Sequence, residues 1–174
     1  MKITDIQLGK LAIPLKKPFK TALRVAREVV TNIVVVETDA ALAGYGEAPP
    51  TAVITGDTDG SIRGAIEERI RPLLVGRDMD DFDDLLTTVG NSLVHNGSAK
   101  AAVDIALYDL RAKQFGVPLY RLLGGDGRAI STDYTISVNE PDEMVHDSTE
   151  AVAEGYDALK IKVGTDFHLD MKRL

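Results

Sequence analysis

The stretch Leu159-Lys160-Ile161-Lys162-Val163-Gly164 closes a predicted unit of strand, helix and strand. The first strand of the unit is predicted at residues 131–138, where apolar and polar side chains alternate strictly. Between the strands we expect a helix that Asn139 caps, that contains Pro141 in its first turn and that ends at Gly155. Two strands joined through a helix run parallel. The pattern therefore predicts a βαβ unit, which fits the start of a (β/α) barrel.

The residues before this unit predict a small sheet. Short runs of apolar residues up to residue 48 are typical of a three-stranded antiparallel meander, with a hairpin between residues 33–38 and 45–47. Gly44-Tyr45-Gly46 is expected to be a turn. The basic segment Lys16–Arg27 predicts a long loop, and long loops in small domains are often functional.

Three apolar stripes at helical spacing follow the predicted sheet. They comprise Ile62, Ala65, Ile66 and Leu73; Phe82, Leu85, Leu86 and Val89; and Ala99, Ala102, Val103, Ala106, Leu107 and Leu110. We expect Asp80 and Ser98 to cap the second and third helices. The sequence therefore predicts an α+β domain over residues 1–125, followed by an incomplete barrel start over residues 126–174.

Composition excludes several classes of protein. The chain has 20 Lys and Arg residues against 27 Asp and Glu residues, a net charge of −7, and its basic residues are scattered, so we expect no nucleic-acid partner. Without any Cys, disulfides, thiolate catalysis and zinc–thiolate sites are excluded. The first residues lack an apolar signal core, and no apolar run reaches the roughly 18 residues of a membrane span. We therefore expect a cytoplasmic protein with no membrane contact.

The lysine pair of the opening stretch is the strongest chemical signal. Strand alternation directs Leu159, Ile161 and Val163 towards the helices, and Lys160 and Lys162 towards the barrel interior. Repulsion between two ammonium groups favours loss of a proton from one of them. A neutral lysine at the mouth of a barrel is suited to abstract a proton from carbon. Spacing alone leaves an alternative open, in which both lysines face water on an edge strand.

The predicted barrel start leaves apolar surface and backbone groups uncovered. Two parallel strands with one complete helix cannot cover both faces of a sheet. We expect one of three explanations: the rest of the barrel has been removed, a partner such as a second copy covers the open edge, or the C-terminal portion is poorly ordered.

Several segments spread over the whole chain carry a family resemblance. They are Lys17-Pro18-Phe19-Lys20-Thr21-Ala22-Leu23-Arg24, Gly46-Glu47-Ala48-Pro49-Pro50 with Thr55-Gly56-Asp57, Ser98-Ala99-Lys100-Ala101-Ala102, Pro118-Leu119-Tyr120 with Leu123-Gly124-Gly125, Thr132-Asp133-Tyr134-Thr135 and the opening stretch. The sequence resembles the N-terminal half of an enolase-superfamily enzyme of the muconate-cycloisomerase-like subgroup. Within that subgroup it is most similar to the dipeptide epimerases, particularly the L-Ala-D/L-Glu epimerases. The resemblance implies a capping domain followed by the first β/α units of a modified TIM-type barrel.

The resemblance also implies roles for five residues. Lys162 would exchange the α-proton of the glutamate residue of a dipeptide substrate, and Lys160 would favour its neutral form and touch the substrate carboxylate. Arg24 would pair with the glutamyl side-chain carboxylate, a task that suits a guanidinium group. Thr135 would line the pocket, and Ile54 would help to close it.

Magnesium and the second half of the catalytic machinery are implied to lie outside these residues. Members of the superfamily use a Lys or His base with Mg²⁺ that stabilises an ene-diolate. The three carboxylate Mg²⁺ ligands, a second lysine and the residues for the substrate ammonium group are expected on later barrel strands. We therefore expect the chain alone to be inactive and the complete protein to be a homo-oligomer that acts in the reuse of cell-wall peptides.

Two alternatives stay open beside the dipeptide epimerase. The first is another activity of the subgroup, o-succinylbenzoate synthase or muconate cycloisomerase, from which Arg24 should discriminate. The second is a non-catalytic folded fragment.

Overall fold

The computed structural model describes residues 1–174, whose contacts divide the chain into two units. The N-terminal unit contains Met1–Ile13 and Val29–Gly127, and the C-terminal unit contains Pro14–Glu28 and Arg128–Leu174. A boundary between residues 125 and 126 stays a prediction. The contacts add that residues 14–28 belong with the C-terminal residues.

The first sheet contains three strands in the order β1 (Ile3–Lys20), β2 (Val25–Thr38) and β3 (Ala43–Ala48). Strands β2 and β3 pair antiparallel, with Val34 opposite Gly46. The predicted meander is therefore confirmed. One face of β2 is apolar and buried at Val34 and at Val36, which both belong to the core of this unit.

The predicted long loop at Lys16–Arg27 is wrong. Strand β1 continues to Lys20 and β2 begins at Val25, so Thr21–Arg24 alone connects them. The side chains of Lys16, Lys17 and Arg27 are exposed. Because this part of the hairpin has no continuous apolar face, the alternation that identifies a strand is missing from its sequence.

The predicted turn at Gly44-Tyr45-Gly46 is also wrong, because these residues lie within β3. Gly44 and Gly46 face helix α4 (Gly97–Gln114) at very short distance. Glycine has no side chain, so at these two positions the backbone of β3 can come close to the backbone of α4.

Besides α4, the N-terminal unit contains six helical segments, and the first two predicted stripes lie in them. The segments are α1 (Asp59–Gly64), a π-helical segment (Ala65–Ile70), α2 (Arg71–Leu74), a 3₁₀ turn (Met79–Asp81), α3 (Phe82–Asn91) and α5 (Leu119–Leu122). All six apolar residues predicted for α4 are buried. Leu73 is an exception to the first stripe, because it is 46% exposed while Leu74 is fully buried. The π-helical segment has wider turns than an α-helix, so it moves the buried face by one residue.

Both predicted helix caps in this unit are wrong. The side chain that accepts from the backbone N–H of Asp80 is that of Asp78, which precedes the 3₁₀ turn. Helix α4 already begins at Gly97, so Ser98 lies inside it and its hydroxyl donates to Asp57 at 2.5 Å.

The C-terminal unit contains β4 (Tyr134–Ile136), α6 (Pro141–Ala153), β5 (Leu159–Ile161) and α7 (Phe167–Arg173). The two strands pair parallel, as predicted. Strand β4 is shorter than the predicted residues 131–138. Gly155 has φ +98° just beyond α6 and confirms the predicted helix end.

Apolar residues from both strands and from α6 form the core of the C-terminal unit. Ile136, Met144 and Ala151 are buried together, and Leu159 and Ile161 pack against them. Asn139 does not cap α6, because Glu140 occupies the cap position.

No helix in the structure combines the length and the apolar character needed to cross a membrane.

Candidate functional site

One face of the β4–β5 sheet carries three of the residues singled out in the sequence. Thr135 pairs with Lys160 in the parallel register, while Ile161 packs on the opposite face against the core of the C-terminal unit. Successive strand residues point to opposite faces, so Thr135 and Lys160 share the face away from α6. The predicted separation of apolar and basic faces is therefore present in β5.

Lys162 continues this arrangement beyond the end of β5. Its backbone N–H donates to the carbonyl oxygen of Ile136 at 3.1 Å, so the parallel pairing extends past Ile161. Two residues separate Lys162 from Lys160, which keeps both side chains on one face. Lys160 is exposed and Lys162 is half-buried.

The turn that carries Arg24 is held in its shape by Thr21. The hydroxyl of Thr21 accepts hydrogen bonds from the N–H groups of Leu23, at 3.3 Å, and Arg24, at 3.2 Å. The N–H of Thr21 donates to the carbonyl oxygen of Arg24 at 2.9 Å. Hydroxyl side chains commonly stabilise turns in this way. Arg24 itself is exposed.

The same turn lies at the carboxyl ends of β4 and β5. The N–H of Val138 donates to the carbonyl oxygen of Lys20 at 3.2 Å, and the N–H of Lys20 donates to the hydroxyl oxygen of Ser137 at 3.3 Å. A Cβ atom on Gly164 would lie 3.5 Å from the Cβ atom of Ala22. The C-terminal unit therefore brings the Arg24 turn next to the segments that follow Thr135 and Lys162.

An exposed ion-pair cluster also joins the hairpin to α6. The ammonium group of Lys17 lies 3.0 Å from Asp147 and 3.1 Å from Glu150. Hydrogen bonds to these two carboxylates, Asp147 first, raise the pKa of Lys17 above its usual value. The Lys17 side chain is 66% exposed, so this contact contributes little to stability.

Five polar residues that surround the two strand ends are not among the site residues predicted from the sequence. These residues are Lys20, Ser137, Asn139, Asp170 and Arg173. Asn139 accepts from Lys20 Nζ at 2.5 Å, and Asp170 accepts from the N–H of Gly164 at 2.8 Å. The one signal present in the sequence is the opposite charge of Asp170 and Arg173 three positions apart, on one face of α7.

Ile54 belongs to the N-terminal unit, whereas the other four predicted site residues belong to the C-terminal unit. It lies in the loop Thr51–Thr55, where its N–H donates to the carbonyl oxygen of Thr51 at 2.8 Å. The hydroxyls of Thr51 and Thr55 are 3.0 Å apart. The Ile54 side chain is 62% exposed on this loop.

No set of three or more His, Asp or Glu side chains is grouped to hold a metal ion in residues 1–174. Mg²⁺ prefers octahedral coordination by oxygen and usually takes one or two carboxylates. The site face of β4–β5 offers the amine groups of Lys160 and Lys162 in place of carboxylate oxygens. The residues of this chain do not fit a Mg²⁺ site.

Comparison with known proteins gives consistent matches over the whole chain. Residues 3–124 match the N-terminal domain of the mandelate racemase and muconate lactonizing enzyme family. The chain is 51% identical over 174 residues to the L-Ala-D/L-Glu epimerase of Clostridium acetobutylicum, covering 100% of the chain and 49% of that protein. The chain spans about half the length of the curated relatives it matches.

Two solved structures show the same architecture. A substrate-liganded L-Ala-D/L-Glu epimerase from Bacillus subtilis matches with a TM-score of 0.96 at 45% identity, over 99% of this chain and 48% of that one. A dipeptide epimerase from Enterococcus faecalis, complexed with Mg and L-Leu-L-Tyr, matches with a TM-score of 0.93 at 36% identity, over 99% of this chain and 49% of that one.

Proposed function

The chain belongs to the mandelate racemase and muconate lactonizing enzyme family, and from this membership we propose that it is the N-terminal portion of a dipeptide epimerase. The proposed reaction interconverts L-Ala-L-Glu and L-Ala-D-Glu. The observation that supports it most directly is the position of the Arg24 turn. That turn lies beside the segment after Lys162, so one unit contains a side chain suited to the substrate carboxylate and one suited to the α-proton.

Lys162 is the proposed acid/base residue. As a neutral amine, its Nζ takes the proton from the α-carbon of the glutamate residue, and the electron pair moves onto the adjacent carboxylate to give an ene-diolate. A second acid on the opposite face then donates a different proton to the α-carbon, which inverts its configuration, while Lys162 keeps the proton that it removed. In this proposal the chain provides the base for one face of the α-carbon, and residues beyond it provide the base for the other face.

Lys160 and Thr135 occupy the same face as Lys162 in this proposal. Lys160 lies two residues away, so its ammonium charge is on the same face as the Lys162 side chain. The same charge attracts the substrate carboxylate, where negative charge grows during proton removal. Thr135, opposite Lys160 in register, forms the adjoining wall.

Arg24 is the proposed specificity residue. A guanidinium group can donate two parallel hydrogen bonds to a carboxylate, which distinguishes a glutamyl side chain from a neutral one. Its position on a turn that Thr21 stabilises limits the conformational entropy lost on binding. Ile54 is proposed to close the pocket from the capping domain.

Magnesium enters this proposal through residues outside the chain. The dipeptide epimerase from E. faecalis was solved with Mg, whereas no residues of this chain fit such a site. The remaining barrel strands would therefore hold the ion. The same strands, or a second copy, are expected to cover the open edge of the β4–β5 sheet, and we expect a homo-oligomer.

The proposal is tested by exchange of the α-proton of L-Ala-L-Glu with deuterium in D₂O containing Mg²⁺. The protein should be assayed both as this chain and as the chain continued through a complete barrel. We expect exchange and formation of L-Ala-D-Glu from the longer protein and none from the chain alone. Lys162→Ala should abolish exchange, while Lys17→Gln, a change in the exposed ion-pair cluster, should preserve it.

Two results would contradict the proposal. A folded complete protein that exchanges no dipeptide proton but forms o-succinylbenzoate or muconolactone would assign one of the sister activities. A complete protein with none of these activities would support a non-catalytic role.

A further inference from the structure

A continuous line of hydrogen bonds connects the hairpin to the end of β5, and none of the proposed roles uses it. At the hairpin, Lys20 Nζ donates to Asn139 Oδ1 at 2.5 Å. The carbonyl oxygen of the same Asn139 accepts from Arg173 Nε at 2.8 Å. Asn139 lies in the segment between β4 and α6, so it connects the hairpin, this segment and α7.

Arg173 then connects to the segment that follows the lysine pair. One of its terminal nitrogens lies 2.7 Å from Asp170 Oδ1 and donates to Thr165 Oγ1 at 2.6 Å. The second carboxylate oxygen of Asp170 accepts from the N–H of Gly164 at 2.8 Å. Gly164 is two residues beyond Lys162. We name the line Lys20, Asn139, Arg173, Asp170 and Gly164 the α7 brace.

Burial distinguishes the α7 brace from the other link between the hairpin and the rest of its unit. The side chains of Arg173 and Asp170 are 5% and 16% exposed, and Asn139 is 9% exposed. In the exposed ion-pair cluster that joins the hairpin to α6, the side chain of Lys17 is 66% exposed. Hydrogen bonds shielded from water hold their geometry more strongly than exposed ion pairs do, because water competes less for their atoms.

The brace reaches both sides of the proposed site. At one end it holds Lys20, the last residue of β1 before the turn that carries Arg24. At the other end it holds Gly164, which is two residues after Lys162. Arg173 and Asp170 form an ion pair, so these two brace residues together add no net charge.

We propose that Asn139, Asp170 and Arg173 are positioning residues that fix the Arg24 turn and Lys162 relative to each other. This inference rests on the proposed function. The brace residues contact neither reacting atom, and they act through Lys20 and Gly164. Small displacements of a reacting group lower rates steeply, so a brace of this kind is expected to influence catalysis.

The two ends of the brace have separable kinetic effects. Loosening the hairpin end disturbs Arg24, which binds the substrate side chain equally in the ground state and the transition state, and therefore raises KM. Loosening the Gly164 end disturbs Lys162, which acts in proton transfer, and therefore lowers kcat.

The test uses paired variants in the complete protein with L-Ala-L-Glu as the substrate. Asn139→Ala removes the acceptor for Lys20 and should raise KM about fivefold with kcat nearly unchanged. Asn139→Asp retains an acceptor oxygen and should restore the wild-type KM. Asp170→Asn breaks the charge pair with Arg173 and should lower kcat about tenfold.

Amide hydrogen exchange provides a readout that does not depend on activity. Asp170→Asn should accelerate exchange of the Gly164 amide, whose acceptor is the altered side chain. Asn139→Ala should accelerate exchange of the Val138 amide, which donates to the carbonyl oxygen of Lys20. Lys17→Gln is the matched control, since it removes hydrogen bonds from the same hairpin, and it should leave both rates unchanged.

The outcomes separate this inference from the proposed function. If the wild-type protein has no dipeptide activity, the proposed function is wrong, and amide exchange still decides whether the brace exists. If the protein is active and the brace variants exchange faster while KM and kcat keep their wild-type values, the positioning role is overturned. Wild-type exchange rates in both variants would overturn the brace itself.

Discussion

A Cβ atom on Gly46 would lie 1.8 Å from the main-chain carbonyl oxygen of Ala102. The neighbouring inward glycine, Gly44, shows the same relation to Ala106, with a distance of 2.0 Å. Strand β3 therefore packs on α4 with its backbone in direct contact. One alanine in each of two successive turns of α4, Ala102 and Ala106, and the two glycines on β3 allow this approach.

Gly46→Ala is expected to lower the free energy of unfolding by about 3 kcal/mol or more, because the added methyl group must push the strand away from α4. Gly64→Ala is the matched control. Gly64 has helical angles, φ −60° and ψ −40°, and open space around its Cβ position, so alanine should stabilise by up to about 1 kcal/mol. Urea unfolding of both variants measures the difference. Equal stability of the two variants would show that β3 can move at no cost.

Arg24→Ala is expected to raise KM for L-Ala-L-Glu by about tenfold to a hundredfold, the usual effect of losing a hydrogen bond between charged groups. KM for L-Ala-L-Met, which has a neutral side chain of similar length, should change little. Arg24→Lys should recover only part of the loss, because an ammonium group cannot donate two parallel hydrogen bonds. An equal change for both substrates would argue that Arg24 stabilises the turn and does not read the side chain.

The Asp170 carboxylate is expected to stay charged well into the acidic range. The hydrogen bond from Arg173 and, after it, that from the Gly164 amide lower the pKa of Asp170 below its usual value. A carboxylate with a lowered pKa contributes stability above its unfolded value of about 3.9, and this contribution is lost as the pH falls through the folded pKa. The chemical shift of the Gly164 amide proton should therefore be constant from pH 7 to about pH 5 and change only below about pH 4. In Asp170→Asn this acid titration should be absent, and a titration of the wild-type signal near neutral pH would contradict the assignment.

Asp104→Asn is expected to stabilise the protein slightly at neutral pH. Asp104 lies half-buried on α4, and desolvation raises the pKa of its carboxyl group. A carboxyl group with a raised pKa costs stability as the pH rises through the interval between its unfolded and folded values. Because the group is only partly buried, we expect a gain of less than about 1 kcal/mol at pH 7. Unfolding experiments at pH 7 and at about pH 3.5, where the carboxyl is mostly protonated in both states, should show most of the gain at the higher pH.

Sequence patterns predicted the elements whose faces differ in polarity. Lys160 in β5 and Lys162 just after it alternate with Leu159 and Ile161, and the apolar stripe of α4 repeats at helical spacing. Both elements and their buried faces could therefore be predicted from the sequence. The hairpin at Lys16–Arg27 could not, because its exposed strands have no apolar face. The one-residue shift that buries Leu74 comes from a π-helical segment, which leaves no mark in the apolar pattern.

The residues of the candidate site also differ in how far the sequence predicts them. The alternation of a strand predicts the shared face of Lys160 and Lys162, whereas the hydrogen-bond partners of Asn139 are far from it in the sequence. Lys20 is 119 positions before it and Arg173 is 34 positions after it. A single polar residue after a strand can have many roles. For Asn139 the sequence predicts a cap on the next helix, because that role depends only on neighbouring residues. Only the three-dimensional arrangement selects the contact with Lys20.

The α7 brace has a consequence for recombining this protein with its relatives. Helix α7 belongs with the two strands that precede it, because Asp170 and Arg173 reach back to the segments after both of them. A chimaera joined between residues 164 and 170 would take Lys160 and Lys162 from one parent and the brace residues Asp170 and Arg173 from the other. A junction after residue 173 would transfer hairpin, strands and support together, so chimaeras of the second kind should retain the parental substrate preference more often.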